Sequence, residues 1–442
     1  MITYNKKQII KIALPLVFGL MVQVLVGLTD TAFLGRVGEV ELGAAAIGGV
    51  FYMLVFIVSQ SFCVGAQIIM ARRNGEKRLN KIAHVFYQSL NTILLFSAAS
   101  VVLTYQFAPR ILEKNIANQA VCSAILAYLL PRCIGLFFSG TKSVFRAFFI
   151  ATTQTTQLLP AALILLITNF IFDYLFIFGF CGIEPMGLKG AAIASILAEG
   201  CAVLYLAGYL FLKINLKKYG FNKFILWSQS LFVHIFRLSV WIIFQNILNW
   251  GTWLYFFIEI EKLGANELAI SNILRSISAL PFVISGALAT TTSSIVSNLI
   301  GAGKDHEVIP TAWRIIRVSV IPFCLCFLFM GLFPELFLRI YTNNASLIKE
   351  AIYPLYAVLF TYLLTLPAMI YFYCIYGTGK TQVALVIEIV CTVAYLLSVG
   401  LVVGYFKLDL IWCWMTELPY YIILWGASYW YIKRQKWCCE II

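Results

Sequence analysis

The sequence predicts an all-α integral membrane protein, with twelve transmembrane helices arranged as two six-helix repeats. Three observations carry that prediction. The first is composition: of 442 residues, 62% are hydrophobic and only 12% charged, and the mean hydropathy is +0.90. Soluble domains run at roughly 45–50% apolar and about 25% charged residues. A chain this apolar cannot hide its side chains in a soluble fold, which excludes a soluble enzyme, a nucleic-acid binder and a disordered scaffold. The second is that hydrophobicity is continuous over runs of about 20 residues, long enough to cross a bilayer as a helix, rather than alternating as in a barrel. The third is an internal repeat at about half the chain length.

In chain order the apolar runs are 9–34, 43–71, 82–107, 121–150, 157–180, 188–212, 231–260, 267–299, 311–338, 350–376, 382–406 and 410–432. The first is too long for a cleavable signal peptide and no small-residue cleavage site follows it, so it reads as the first span. Basic residues then set the orientation. One set of loops and ends, from Lys6, Lys7 and Lys11 through Arg72 and Arg73 to Lys433, Arg434 and Lys436, carries 19 cations; the opposite set carries 8, and the other five of the 32 lie within spans. Both termini are expected in the cytoplasm. The net charge of +13 records topology rather than a nucleic-acid partner. The 12 cysteines fall mostly in apolar runs, where Cys behaves as a small hydrophobe; the terminal pair Cys438-Cys439 carries no recognisable metal or redox spacing.

The repeat rests on two matches. GEVELGAAAI at 38–47 aligns with GANELAISNI at 264–273 at an offset of 226, and ATTQTTQ at 151–157 aligns with YGTGKTQ at 376–382 at an offset of 225. Two matches at nearly one offset reinforce each other. With six spans per half, both repeats start on the same side of the membrane, which is a parallel-repeat transporter architecture. The expected division is an N-terminal six-helix lobe over 1–212, a basic cytoplasmic linker over 213–230 and a C-terminal lobe over 231–442.

Ionisable groups at membrane depth cost free energy unless paired or hydrated, so each is a functional candidate. Asp30 closes the apolar run of span 1. Asp173 lies deep in span 5, and Asn169, four residues earlier, shares its helix face. Two carboxylates and an amide oxygen suit a hard cation such as Na⁺; the same carboxylates could instead share a proton. The structural alternative is a polar link between helices. At the repeat offset, Asn169 and Asp173 fall on Ala394 and Ser398, so the second half lacks the pair. It has its own acids: Glu388 in span 11, readable as a cavity-facing or an interfacial carboxylate, and Glu417 in span 12. Glu259 and Glu261 end span 7 and are expected in solvent, whereas Glu199 is expected to pair with an internal arginine. Pro15, Pro131, Pro160, Pro281 and Pro367 lie within spans, where proline kinks helices; at Pro15 the reading is open between a moving joint and a static bend.

These residues also carry a resemblance. LPLVFGLMVQVLVGLTDTAFLGRVGEVELGAAAIG at 14–48 resembles the first span and loop of the multidrug and toxic compound extrusion (MATE) family. RAFFIATTQTTQ at 146–157 is similar to its span 4–5 junction, and NFIFDYLFIFGF with GLKGAAIAS, within 169–195, to its spans 5 and 6. The Asp of span 1 with Asn-x-x-x-Asp of span 5 resembles the DinF-like branch. The resemblance implies a V-shaped, two-lobe antiporter that exports organic cations in exchange for H⁺ or Na⁺. It implies a coupling-ion site at Asp30, Asn169 and Asp173, with Ser195 at a span 6 hydroxyl position that is Thr in the family, and a bending proline at Pro15. YGTGKTQ lacks a carboxylate that other branches place near span 10.

The expected function is therefore secondary antiport of cationic or amphipathic drugs across a bacterial cytoplasmic (inner) membrane, by a monomer in contact with lipid and needing no cofactor beyond its coupling ion. A flippase for lipid-linked oligosaccharide, from the wider superfamily, is the alternative; it calls for a cationic cavity. An embedded enzyme would need an acidic metal motif or a buried His with an acid, but His84, His234 and His306 sit at span ends or in loops. No P-loop pattern is present, which argues against ATP-driven transport.

Overall fold

A computed structural model describes residues 4–116, 118–180, 182–222 and 227–434. Lys436 and the pair Cys438-Cys439 lie outside these residues, as does part of the stretch read as a linker, 223–226.

The chain is helical from the start. Asn5 and Gln8 cap the first helix reciprocally: Gln8 N donates to Asn5 Oδ1 at 2.9 Å and Asn5 N to Gln8 Oε1 at 3.0 Å, which satisfies two backbone donors that would otherwise be unpaired. The first half runs α1 (Lys6–Val37), α2 (Glu39–Gly75), α3 (Ile82–Asn115), α4 (Gln119–Ile134), α5 (Leu136–Ala151), α6 (Leu158–Phe178), α7 (Gly187–Lys213) and the short α8 (Leu216–Tyr219). The second runs α9 (Gln229–Glu261), α10 (Ala265–Gly301), α11 (Val308–Leu332), the short α12 (Pro334–Arg339), α13 (Ala345–Thr378), α14 (Thr381–Val399), α15 (Leu410–Met415) and α16 (Glu417–Arg434). A π-helical segment, Gly400–Tyr405, follows α14.

Ten helices among the described residues are long and apolar enough to span a membrane. α4 and α5, bent by 43° to each other, make an eleventh when the pair is taken as one span. The bend has two local causes. Pro131 removes a helix donor, and Gly135 leaves room for the Arg132 guanidinium, which a Cβ there would meet at 2.4 Å. The run expected as a twelfth span is broken at Thr416 into α15 and α16. Pro160 departs from expectation: it occupies the first turn of α6, where no helical hydrogen bond is lost. α1 is continuous through Pro15.

The repeat is visible in the helix ends. α2 and α10 are both 37 residues long, and each opens after a glycine, Gly38 or Gly264. The carboxylate three residues on, Glu41 or Glu267, folds back over that glycine so closely that a Cβ would meet its Oε2 at 2.3 Å in both cases. Acid at the first turn complements the helix dipole. The chain divides into two compact units: Leu14–Ser239, and Met1–Ala13 with Val240–Ile442.

Candidate cation-binding site

The site is built inside the unit Leu14–Ser239. α6 lies along α7 at very close range, because a Cβ on Gly190 would come within 2.5 Å of the Phe176 carbonyl oxygen. That contact turns one face of α6 inward, and on it Asn169 is 1% and Asp173 0% exposed. α1 docks on the same helix through Phe33, whose ring lies 5.3 Å from Phe170 and 5.6 Å from Phe178. Phe33 is three residues after Asp30, and Phe170 three before Asp173. The aromatic contacts therefore fix the two carboxylates near one another.

Asp30 faces Asp173 and Asn169, with Arg132 and Glu199 also within electrostatic range. Asp30 Oδ1, both Asp173 oxygens and both polar atoms of the Asn169 amide are buried without a hydrogen-bond partner in the protein. Two carboxylates turned toward each other, one of them fully buried, repel unless a positive charge joins them. The donor set is all oxygen, which suits a proton or a hard monovalent cation rather than a soft metal. Thr29 and Thr31, on either side of Asp30, return their hydroxyls to the helix carbonyls of Leu25 and Gly27, leaving Asp30 as the polar group directed at α6.

A second layer surrounds the carboxylates. Arg132 donates twice to Glu199, at 2.9 and 3.3 Å, and Lys142 lies 3.7 Å from the same carboxylate. The Arg132 guanidinium stacks 4.0 Å over the Tyr52 ring, whose hydroxyl donates to Ser139 Oγ at 2.9 Å. Lys142 and Arg146 also line a small cavity with Gln23 and the apolar residues Leu16, Leu20 and Leu165. The pairing of Glu199 with an internal arginine meets the sequence expectation. Its partner, 67 positions away, and the role of Tyr52 are not readable from spacing; the one signal is a charged residue isolated in each of two apolar runs.

The other candidates fall elsewhere. Ser195 is buried in α7, four residues before Glu199 and on its face; the groups that dominate the surroundings of Asp30 do not include it. Pro15 lies in the first third of α1, half-buried. Glu388 is 1% exposed and accepts a hydrogen bond from Tyr420 at 2.6 Å, so its carboxylate lies in the protein interior. Glu259, expected in solvent, is buried, with Lys262 closing over it at 2.7 Å.

Several known proteins are similar to this chain. The profile of the family described as MatE matches twice, at residues 15–175 and 242–401. A probable multidrug resistance protein NorM of Thermotoga maritima is 25% identical over 427 residues, covering 93% of this chain and 88% of the relative. The protein of the same name in Agrobacterium fabrum is 22% identical over 314 residues, covering 71% and 67%. Among solved structures, an outward-facing multidrug resistance MATE family transporter of the MOP superfamily superposes with a TM-score of 0.87 at 19% identity, over 97% of this chain and 95% of that one. A MOP superfamily transporter from Pyrococcus furiosus, described as having a binding pocket of reverse polarity that suggests a different function, gives 0.86 at 20% identity, over 97% and 96%.

Proposed function

Since this chain belongs to the MatE family, we propose that it is a secondary antiporter that exports cationic or amphipathic organic compounds in exchange for H⁺ or Na⁺. It acts as a monomer in the bacterial cytoplasmic membrane with both termini inside. Its lobes are 1–212 and 231–442, joined by 213–230.

The observation that carries this reading is the convergence of the half-buried Asp30 with the buried Asn169 and Asp173, where Asp30 Oδ1, both Asp173 oxygens and both polar atoms of the Asn169 amide lack a hydrogen-bond partner. Such a cluster binds a proton or Na⁺ when the gradient supplies one, and its charge changes with occupancy. A ligand shifts a conformational equilibrium by its differential affinity for the two states. Entry of the coupling ion at Asp30, Asn169 and Asp173 pulls α1 and α6 together, with Pro15 relaxing the part of α1 that precedes the site and the Ser195 hydroxyl of α7 reaching the ion only if α7 moves with them. The substrate is released to the outside in the state that the ion favours.

Asp173→Asn tests this. Cells carrying the variant are expected to lose ethidium efflux, while the variant is still made and inserted; efflux as fast as the parent's sinks the proposal. Drug uptake by proteoliposomes, with Na⁺ and pH gradients imposed separately, identifies the coupling ion. A second reading is favoured by one observation, the lining of a cavity by Lys142 and Arg146: transport of an acid-bearing lipid-linked substrate, for which complementation of a flippase-deficient strain is the test.

A further inference from the structure

The unit that contains Val240–Ile442 has a polar interior that the coupling scheme above does not use. Glu388 of α14 and Glu417 of α16 are 1% and 7% exposed, on helices that pack against each other and, through α16, against α13. Glu388 accepts from Tyr420 at 2.6 Å, with the Asn249 amide of α9 also in reach. Glu417 Oε2 is buried with no hydrogen-bond partner.

The groups facing these acids are neutral. Tyr376 of α13, Tyr420 and Cys391 face Glu388. Tyr362 of α13 and Tyr395 of α14 face Glu417, and Tyr421 faces both acids. From α15, Cys413 lies against Tyr395. None of these is cationic, and among the described residues of this unit no lysine or arginine is buried. A carboxylate held from water without a countercharge is strongly disfavoured. Asp30 and Asp173 face each other with an amide and supply a shared set of oxygens; Glu388 and Glu417 do not face each other. Each stands singly among phenols, a setting that a proton satisfies and that lacks the several anionic oxygens a sodium ion gathers.

We propose that Glu388 and Glu417 are a second proton-binding site, built within the C-terminal half and linked by the phenols of Tyr420 and Tyr421, whose rings lie 5.2 Å apart. Binding adds one proton to a carboxylate oxygen and breaks no bond. Tyr421 lies within electrostatic range of both acids. The site goes beyond the antiport reading and does not depend on what is exported.

The test is infrared difference spectroscopy on the full-length protein in lipid, between acidic and alkaline buffer, with and without Na⁺. The protonated-carboxyl band is expected to keep a pH-dependent component in the Asp30→Asn/Asp173→Asn variant and to lose that component in Glu388→Gln/Glu417→Gln. If the latter pair fails to fold, the unsubstituted protein grown with carboxyl-labelled glutamate answers the same question: the component is expected to shift with the label. A band unchanged by both the label and the glutamine substitutions overturns the proposal. So does a component that responds to Na⁺ at fixed pH. Neither readout requires transport, so failure here and failure of the antiport reading are separable: the latter shows as intact ethidium efflux by Asp173→Asn.

Discussion

The two halves share a backbone plan and differ in how they treat buried charge. In the N-terminal half, acids and cations are interleaved: Glu199 is shared by Arg132 and Lys142, and Asp30 lies within the field of that cluster. In the C-terminal half, Glu388 and Glu417 lie among tyrosines with no buried lysine or arginine among the described residues. At an offset of 226, Phe256 stands where the first half has Asp30, and at 225 Ala394 and Ser398 replace Asn169 and Asp173. Ser398 spends its hydroxyl on the Ala394 carbonyl of its own helix at 2.8 Å. The same helix positions thus hold two carboxylates and an amide in one half and a phenylalanine, an alanine and a self-bonded serine in the other. Duplicated folds fix where a polar group can sit, not whether one is there.

Five changes would break or sharpen that contrast. The largest effect is expected from Asp173→Asn, which should reduce ethidium efflux to the level of cells lacking the protein. Next is Glu199→Gln, which leaves the buried Arg132 and the half-buried Lys142 without their acid. Loss of one partner of a buried pair costs about 3–5 kcal/mol, read as a lowered midpoint of thermal unfolding in detergent. Glu417→Gln, with no cation to orphan, is expected to leave that midpoint unchanged or higher; the reverse order of the two glutamate variants would remove the comparison. Gly190→Ala pushes a methyl into the Phe176 carbonyl, and overpacking of this kind costs about 1–3 kcal/mol. It should lower both stability and efflux. The smallest is Phe33→Leu, which keeps bulk and removes the ring pairs with Phe170 and Phe178, worth about 1 kcal/mol. Efflux should slow several-fold with little change in unfolding midpoint.

Much of this was legible in the sequence because the membrane imposes a simple code. Long apolar runs gave the helices, and the Gly38/Gly264 match marks two equivalent helix starts because both need a glycine under a returning glutamate. Asn169 and Asp173 could be paired because helical periodicity puts residues four apart on one face. What stayed hidden depends on contacts between helices distant in sequence. No spacing rule joins Arg132 to Glu199, or Phe33 to Phe170. Glu259 misled for the opposite reason: it lies near a loop, yet Lys262, three residues on, covers it. Pro160 shows that a proline in an apolar run marks a helix start as readily as a kink.

The break at Thr416 bears on how the protein reaches the bilayer. The last segment, α15 and α16, carries Glu417, Tyr420 and Tyr421, and it is not among the helices apolar enough to cross a membrane by themselves. A helix of that kind is not released into lipid on its own hydrophobicity. Its place in the bilayer rests on packing against α13 and α14, which precede it in the chain. The acidic interior of the C-terminal half therefore makes the placement of α15 and α16 depend on helices made earlier in the chain.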